Sequence, residues 1–326
     1  MSLLSHLRDP TSPVHRFFAE RFTDAGAARS ALAPGDDPGV IIGRSTAGSP
    51  TPKHSVWRLG DAQVLPADQD RPGFPWATVG TAFDYRVRFY FPEREFDHRA
   101  AHTGATMLVG RWRVPLELPS AFVELEAHLS DLRAVEPARR GDDAFERDLA
   151  ELCFALALYE QFFRSGGHSD DDPLYRLGPL ADLGVVVSLA PASALEDLMA
   201  LANRLVATQG TLLVSSATPN PSFAGSPFLG GADADLIAGG RLLDVKTTVS
   251  STIERLELWQ LLGYALCDFD DAFCIEEVGL YYSRHGVQVA WPVDELLSLM
   301  SGQATRASQV RSVFESLLRA LLPLPR

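Results

Sequence analysis

The spacing of apolar residues predicts helices along much of the first two thirds of the chain. Over residues 12–33, apolar side chains recur at helical intervals after a Ser-Pro pair that often begins a helix. From 34 to 75, Gly, Pro, Asp and Ser are frequent and apolar residues follow no period, which predicts a long irregular loop. Helical periodicity returns over 118–134, 143–163 and 191–207.

The segment from Thr78 to Phe91 carries two signals. Its β-branched and aromatic residues favour a strand, whereas Val79, Phe83 and Val87 fall on one face of a helix, and we favour the helix. Arginines interleaved with aromatic residues suit contacts with phosphates, and in and after this segment they are Arg86, Arg88, Arg94 and Arg99. A solvated helix face explains the same arginines equally well.

Two short apolar runs, 236–237 and 242–243, flank Gly239 and Gly240. A Gly-Gly pair can adopt the positive φ angles of a two-residue turn, so this sequence predicts a tight β-hairpin. Other apolar runs predict a short strand over 184–189, the first strand of the sheet over 211–214, and a second hairpin from 278–282 and 287–290. Helices are predicted over 254–267, 294–300 and 306–322.

The first hairpin places charged residues opposite one another. With its turn at 239–240, Asp235 faces Asp244, and Asp233 faces Lys246. Facing carboxylates repel each other, and a divalent cation relieves that repulsion because Mg²⁺ and Mn²⁺ prefer oxygen ligands. Lys246 projects from the same face, two residues after Asp244. A metal beside an ammonium group can activate water and stabilise the charge that develops on phosphorus during phosphodiester hydrolysis.

The lysine in this hairpin is unusual for the chain. Lys53 and Lys246 are the only lysines, and the other cationic side chains apart from histidine are arginine. A compact point charge at Lys246 suits a catalytic site better than a planar guanidinium would. The ordinary alternative is a surface hairpin whose charged face is simply solvated.

Together, Asp235-Leu236-Ile237, the glycine turn and Asp244-Val245-Lys246 resemble the D…(D/E)xK signature of the PD-(D/E)xK nuclease superfamily, in its RecB-like form. That form carries a glutamine on the following helix, and here Gln260 stands in LELWQLLGYAL, with Tyr264 one turn later. The resemblance covers roughly residues 149–293. One position departs from it, since Ala234 stands where the superfamily has the proline of its name.

The resemblance implies an α/β fold with a restriction-endonuclease-like core, in which a mixed αβββαβ sheet is flanked by helices. It also implies that Asp235, Asp244 and the backbone carbonyl of Val245 bind Mg²⁺ or Mn²⁺. Lys246 would position the attacking water, and Gln260 would organise the site. Arg86, Arg88 and Tyr264 are the candidate contacts with DNA.

Glu160 is an isolated carboxylate within the apolar end of the helix predicted over 143–163. Burying an unpaired carboxylate is costly, so we expect it to meet a cation or hydrogen-bond donors. In the resembled superfamily the helix before the sheet often contributes a glutamate to the metal site, which makes Glu160 a candidate catalytic and metal-binding residue. The alternative is that its head reaches water at the helix end.

The length and composition of the chain limit its domain organisation and its location. The chain has 326 residues, 46% of them hydrophobic, which suggests two domains or one domain with a large extension. Taken with the resemblance, the predicted elements imply a mostly helical region with a long irregular loop over 1–115 and a nuclease-like domain over 116–326. Neither a membrane span nor a signal peptide is indicated, and we expect a cytoplasmic protein.

The three cysteines lack metal-site spacing and are expected to be buried thiols. Sequence motifs of P-loop NTPases, α/β-hydrolases, zinc metalloproteases and dinucleotide-binding proteins are absent.

These features predict a metal-dependent nuclease that hydrolyses phosphodiester bonds, with DNA as the expected substrate. Phage defence, repair and recombination are all compatible settings, because a fold does not specify a pathway. The alternative is a non-catalytic subunit that keeps the nuclease fold and acts through protein–protein contacts. Nothing in such a role requires the combination of Asp235, Asp244 and Lys246.

The charge of the chain generates a first prediction. Its net charge is −13 and its pI is near 5.0, whereas binding to DNA depends on contacts from Lys and Arg. We expect the isolated protein to bind DNA with a Kd of about micromolar or poorer at physiological salt, and to need a partner protein or a homo-oligomer. Anisotropy titrations of a metal-binding-dead variant test this. Nanomolar binding by the protein alone would contradict it.

Overall fold

The computed structural model describes residues 2–32, 42–44, 57–59, 72–210, 213, 216–250 and 252–321. It is an α/β structure with many helices and a five-stranded mixed sheet. The chain divides into two compact units. The sheet unit comprises Met1–Gln63 and Ser216–Arg326, and the helical unit comprises Val64–Ser215.

Helices are the more numerous elements in the described residues. They are α1 (Leu3–Arg8), α2 (Pro13–Arg21), α3 (Ala25–Ser30), α4 (Trp76–Phe89), α5 (Arg99–Trp112), α6 (Ser120–Arg139), α7 (Asp143–Arg164), α8 (Pro173–Leu177), α9 (Leu183–Val187), α10 (Ala192–Gln209), α11 (Ser226–Leu229), α12 (Arg255–Cys267), α13 (Val293–Ser301) and α14 (Ala307–Leu321). The strands are β1 (Ile42–Arg44), β2 (Trp57–Leu59), β3 (Thr218–Pro219), β4 (Leu236–Ala238), β5 (Arg241–Lys246), β6 (Glu277–Tyr282) and β7 (Val287–Pro292).

The five-stranded sheet has the order β3-β4-β5-β6-β7. Its pairs are antiparallel except β5 and β6, which run parallel and are connected through α12. A parallel pair needs such a crossover, and the carboxyl ends of β5 and β6 therefore lie at the same edge of the sheet. A separate two-stranded ladder pairs β1 with β2.

The first hairpin has the predicted turn and register. Gly239 and Gly240 have φ values of 57° and 76°, the left-handed conformation that a two-residue turn between strands requires. Leu236 pairs with Leu243, and Ala238 with Arg241, as expected. The outermost predicted pair is wrong.

Asp233 does not pair with Lys246: the ladder between β4 and β5 ends at Leu236 and Leu243, and the backbone of Asp233 forms a bridge with Ser222. Two residues later, the carbonyl of Asp235 accepts a hydrogen bond from the backbone N–H of Asn220 at 2.9 Å. The chain before β4 is thus held by the preceding loop, and β4 is shorter than the sequence pattern suggested.

Helix α12 forms the centre of the sheet unit's core. Its start has a capping box, and Leu258, Leu261 and Leu262 are fully buried. The N-terminal helices pack on it closely, since a Cβ atom at Gly263 would lie 2.8 Å from Leu3. Trp259 also donates a hydrogen bond to the carbonyl of Phe22 at 2.7 Å.

The division between the units differs from the predicted boundary after residue 115. Helix α5 lies before that boundary and α7 after it, yet the two pack so closely that a Cβ atom at Gly104 would lie 1.9 Å from the carbonyl oxygen of Tyr159. Residues on both sides of 115 therefore share one core. The N-terminal helices α1 to α3, in contrast, belong with the sheet.

Most predicted helices are confirmed, including α4 in the ambiguous segment, and so are the second hairpin and the two last helices. The strand predicted over 184–189 is wrong, because this segment forms α9. Asp182 caps that helix by accepting a hydrogen bond from the backbone N–H of Val185 at 2.9 Å, which outweighs the β-propensity of its valines. The predicted strand over 211–214 lies outside the described residues except for 213.

The irregular loop predicted over 34–75 also lies largely outside the described residues. The short strands β1 and β2 fall within it and were not predicted. None of the helices in the described part of the chain is long and apolar enough to cross a membrane.

The cysteines provide a test of the packing. Cys153 and Cys267 are buried and Cys274 is exposed. Burial raises the pKa of Cys153 to about 12 and also raises the pKa of Cys267, so neither forms the reactive thiolate near neutral pH.

We expect a disulfide reagent to modify one thiol of the native protein and all three after denaturation. Rapid modification of more than one thiol in the native wild type, or of any thiol in native Cys274→Ser, would contradict the buried placement of Cys153 and Cys267.

Candidate active site

The charged residues of the hairpin meet at the carboxyl end of β5. Asp244 is 4% exposed, and its Oδ2 atom lies 2.5 Å from the Nζ atom of Lys246. Residues two apart on a strand project from the same face, so the pleat itself brings these groups together. Although ion-paired, the buried Oδ2 atom of Asp244 makes no hydrogen bond of good geometry.

Helix α12 supplies the next contacts. The Nζ atom of Lys246 donates a hydrogen bond to Oε1 of Gln260 at 3.1 Å. On the other side of the same amide, Nε2 of Gln260 donates to the Tyr264 hydroxyl at 2.7 Å. Asp244, Lys246, Gln260 and Tyr264 thus form one continuous contact chain from the sheet to the helix.

Asp235 lies just before β4, and its side chain reaches across the hairpin. Its Oδ2 atom accepts a hydrogen bond from the backbone N–H of Val245 at 2.5 Å. This places the Asp235 carboxylate against the backbone between Asp244 and Lys246. The structure therefore brings together the predicted residues of the sheet unit, whereas the use of the Val245 carbonyl as a metal ligand stays a prediction.

Electrostatics hold Lys246 in its charged form. Burial lowers the pKa of the ammonium group, but Asp244, Glu257 and Asp235 oppose that effect and the pKa ends above its ordinary value. Burial, reinforced by Asp244 and Asp235, raises the pKa of Tyr264 well above its ordinary value. At neutral pH Lys246 is a cation and Tyr264 keeps its proton.

The donor set fits a hard divalent cation. Asp235 and Asp244 offer carboxylate oxygens, and the latter has a buried oxygen without a well-formed hydrogen bond. The described residues contain no group of three His, Cys, Asp or Glu side chains arranged to hold a metal. Mg²⁺ commonly uses one or two carboxylates and completes its shell with waters and substrate phosphates, so two carboxylates match its ordinary requirement.

One acidic residue near the site was missed from the sequence. Glu257 is partly buried in the first turn of α12 and acts electrostatically on Lys246. The sequence spacing could have indicated Glu257. Glu254 and Glu257 have the separation of a capping box, and Glu257 precedes Gln260 by three residues, which places the two on the same side of the helix.

Glu160 lies in the helical unit, where its carboxylate has protein partners. Its Oε2 atom accepts a hydrogen bond from the Tyr85 hydroxyl at 2.5 Å, and Oε1 accepts one from Nε of Arg164 at 2.6 Å. The expectation that Glu160 meets a cation or donors is confirmed, and with a side chain 4% exposed its head does not reach water. Metal binding by Glu160 stays a prediction that these contacts do not favour.

The arginines expected to contact DNA face the interior of the helical unit. Arg86 is 2% exposed and makes a bidentate pair with Glu146, in which Nε donates to Oε2 at 3.1 Å and Nη2 donates to Oε1 at 3.0 Å. Arg88 is also buried and pairs with Asp84. The expected DNA contact by these two is therefore corrected, because in this structure their charges neutralise the buried carboxylate of Glu146 and the partly buried carboxylate of Asp84. Tyr264 is buried as well, at 7% exposed.

Comparisons of this chain with protein-family models, with curated proteins and with solved structures gave no match.

The donor set generates a prediction about stability. A cation that binds the folded state between Asp235 and Asp244 should raise the melting temperature, by about 2–4 °C for each kcal/mol of binding free energy. Mg²⁺ and Mn²⁺ are the ions to test, with melting followed by circular dichroism. Asp235→Asn should lose most of the shift. Glu295→Gln is the matched control, because it removes a carboxylate of the sheet unit that is exposed and lies on α13.

No shift in the wild type at millimolar metal, or an equal loss of the shift in both variants, would show that Asp235 does not form a metal site.

Proposed function

We propose that this protein is a metal-dependent hydrolase of phosphodiester bonds, acting on DNA in the manner of PD-(D/E)xK nucleases. The observation that carries the proposal is the contact chain from Asp244 through Lys246 to Gln260, with Asp235 hydrogen-bonded beside it. Carboxylates that can hold a metal, an ammonium group and a fixed amide are groups that can assist metal-dependent attack of water on phosphorus.

The topology supports the same proposal. Strands β3, β4 and β5 form an antiparallel series, α12 crosses over, and β6 joins β5 in parallel. This order agrees with the αβββαβ core expected of a restriction-endonuclease-like fold, which we propose for the sheet unit. Both parallel strands end at the edge where the contact chain lies, and ligands of α/β sheets commonly bind at such an edge.

In the proposed site, Asp235 and Asp244 would hold Mg²⁺ or Mn²⁺, with the Val245 carbonyl as a further oxygen ligand. The metal supplies Lewis-acid activation of water and of the phosphoryl oxygens. The residues of the chain provide the fixed geometry. The hydrogen bond from Val245 holds the Asp235 carboxylate against the backbone of the residue that follows Asp244.

Lys246 supplies positive charge where negative charge accumulates on the phosphoryl oxygens. Its ammonium group is ion-paired with Asp244 and donates one of its three N–H bonds to Gln260. A further N–H bond can point towards a water or a phosphate oxygen. Gln260 cannot rotate freely, because its amide N–H donates to Tyr264, and this fixes the direction of the lysine.

The acidic chain suggests how the substrate is held. The chain has a net charge of −13, and Arg86 and Arg88 pair with carboxylates inside the helical unit. Tight binding to DNA would therefore need basic side chains from a second protein chain. We propose that the protein acts in the cytoplasm with a partner protein or as a homo-oligomer. Phage defence, repair and recombination would each provide such a partner.

Replacing either central residue should abolish cleavage. We expect Asp244→Ala and Lys246→Ala to lower kcat by at least about 100-fold, because each removes a group acting on the reacting phosphate. Lys246→Arg should not restore activity, since a planar guanidinium does not replace a point charge. Arg241→Ala is the matched control, as Arg241 lies on the same strand but pairs with Glu277.

The assay should use linear and circular, single- and double-stranded DNA and RNA, with Mg²⁺ or Mn²⁺, and circular dichroism should confirm folding of each variant. Wild-type activity in Asp244→Ala would refute the proposed function. A wild-type protein that binds metal but cleaves none of these substrates would favour the non-catalytic subunit.

A further inference from the structure

Glu257 is a carboxylate beside the contact chain to which the proposed hydrolysis assigns no role. It lies in the first turn of α12, three residues before Gln260. Residues three apart on a helix are neighbours on one side of it. Helix α12 therefore presents two polar side chains in succession towards the strand ends.

The Glu257 carboxylate has two hydrogen-bond donors. Its Oε2 atom accepts from the backbone N–H of Glu254 at 2.8 Å and from the Tyr282 hydroxyl at 3.0 Å. The first contact is half of the capping box and belongs to the start of the helix. The second contact joins α12 to the last residue of β6, so Glu257 is more than a helix cap.

Tyr282 is the neighbour of Lys246 in the sheet. The two residues are the last register pair of the parallel strands β5 and β6, and paired residues on adjacent strands share a face. Glu257 with Tyr282 and Gln260 with Lys246 are thus adjacent contacts between one helix and two strand ends. Burial, with Glu257 as the next cause, raises the pKa of Tyr282, so its hydroxyl remains a donor.

Lys246 and Glu257 also act on each other through their charges. Against the effect of burial, Asp244 and then Glu257 are the groups that raise the pKa of Lys246 most. Burial raises the pKa of Glu257, and Lys246 is the group that opposes this rise most strongly. Their charges are coupled across the contact between helix and sheet.

A bound divalent cation would change the balance of charge around the Lys246 ammonium group. Asp235 and Asp244 then share their negative charge with the metal, whose own charge repels the ammonium group. Of the carboxylates that act most on Lys246, Glu257 is the one outside the proposed metal ligands.

We propose that Glu257 is a positioning residue of the site. It holds the strand end that carries Lys246 through Tyr282, and it supplies the charge that balances Lys246 when Asp235 and Asp244 bind the metal. This inference rests on the proposed hydrolase function. It assigns a role in that reaction to a residue outside the D…DxK signature.

Glu257→Gln tests the charge, because the amide keeps an oxygen that can accept from Glu254 and Tyr282. We expect it to lower kcat about tenfold while KM for DNA changes by less than about twofold. Calorimetric titration with Mn²⁺ in the absence of DNA should show severalfold weaker binding. Glu257→Asp should recover part of both losses. Glu295→Gln is the matched control, since it removes an exposed carboxylate of the sheet unit on α13 and should behave as wild type.

Tyr282→Phe provides a second variant that deletes a single hydroxyl. It should lower kcat while leaving Mn²⁺ affinity unchanged, and it decides the question if Glu257→Gln does not fold. Wild-type kcat and Mn²⁺ affinity in folded Glu257→Gln, wild-type kcat in Tyr282→Phe, or an equal loss in Glu295→Gln would overturn the inference. A wild-type protein that neither cleaves nor binds Mn²⁺ would instead refute the proposed function on which it rests.

Discussion

The candidate site depends on the close ion pair between Lys246 and Asp244 at the end of a buried strand. Removing one member of a buried pair generally costs about 3–5 kcal/mol, but replacing both members with apolar residues is often neutral or stabilising. Such a pair is therefore weak evidence of stability. Here it stands beside a third charged group, Asp235, and is extended by Gln260. We therefore propose a chemical role for this concentration of polar groups.

The surrounding architecture fixes that pair from two directions. The hairpin sets the spacing along β5, and α12 sets the position of Gln260 above the sheet. Helix α12 is itself held by the N-terminal helices, because Trp259 donates to the carbonyl of Phe22 at 2.7 Å. In addition, Arg29 donates to the carbonyl of Ile253, just before α12, at 2.7 Å. Residues more than 200 positions apart thus determine the geometry of one lysine, and the N-terminal segment is part of the site's support.

Local signals made the hairpin and its register predictable, since a Gly-Gly turn fixes which residues face each other. The helix carrying Gln260 was predictable from apolar spacing. The burial of individual side chains and the identity of their partners could not be predicted from the sequence. Arg86 resembled a phosphate contact until its partner Glu146, 60 positions away, was known. The valines after Asp182 suggested a strand, but the segment forms a helix because the capping side chain of Asp182 outweighs their β-propensity. The division into units depends on contacts between distant helices and had no local signal.

Anomalous diffraction from crystals soaked in Mn²⁺ would test the central claim most directly. The account predicts a single strong peak within about 2.1 Å of oxygens from both Asp235 and Asp244, beside the Lys246 ammonium group. It also predicts that the peak disappears in crystals of Asp235→Asn grown and soaked in the same way. Well-diffracting wild-type crystals with no peak at these carboxylates, or with Mn²⁺ bound only elsewhere, would contradict the proposed metal-dependent site.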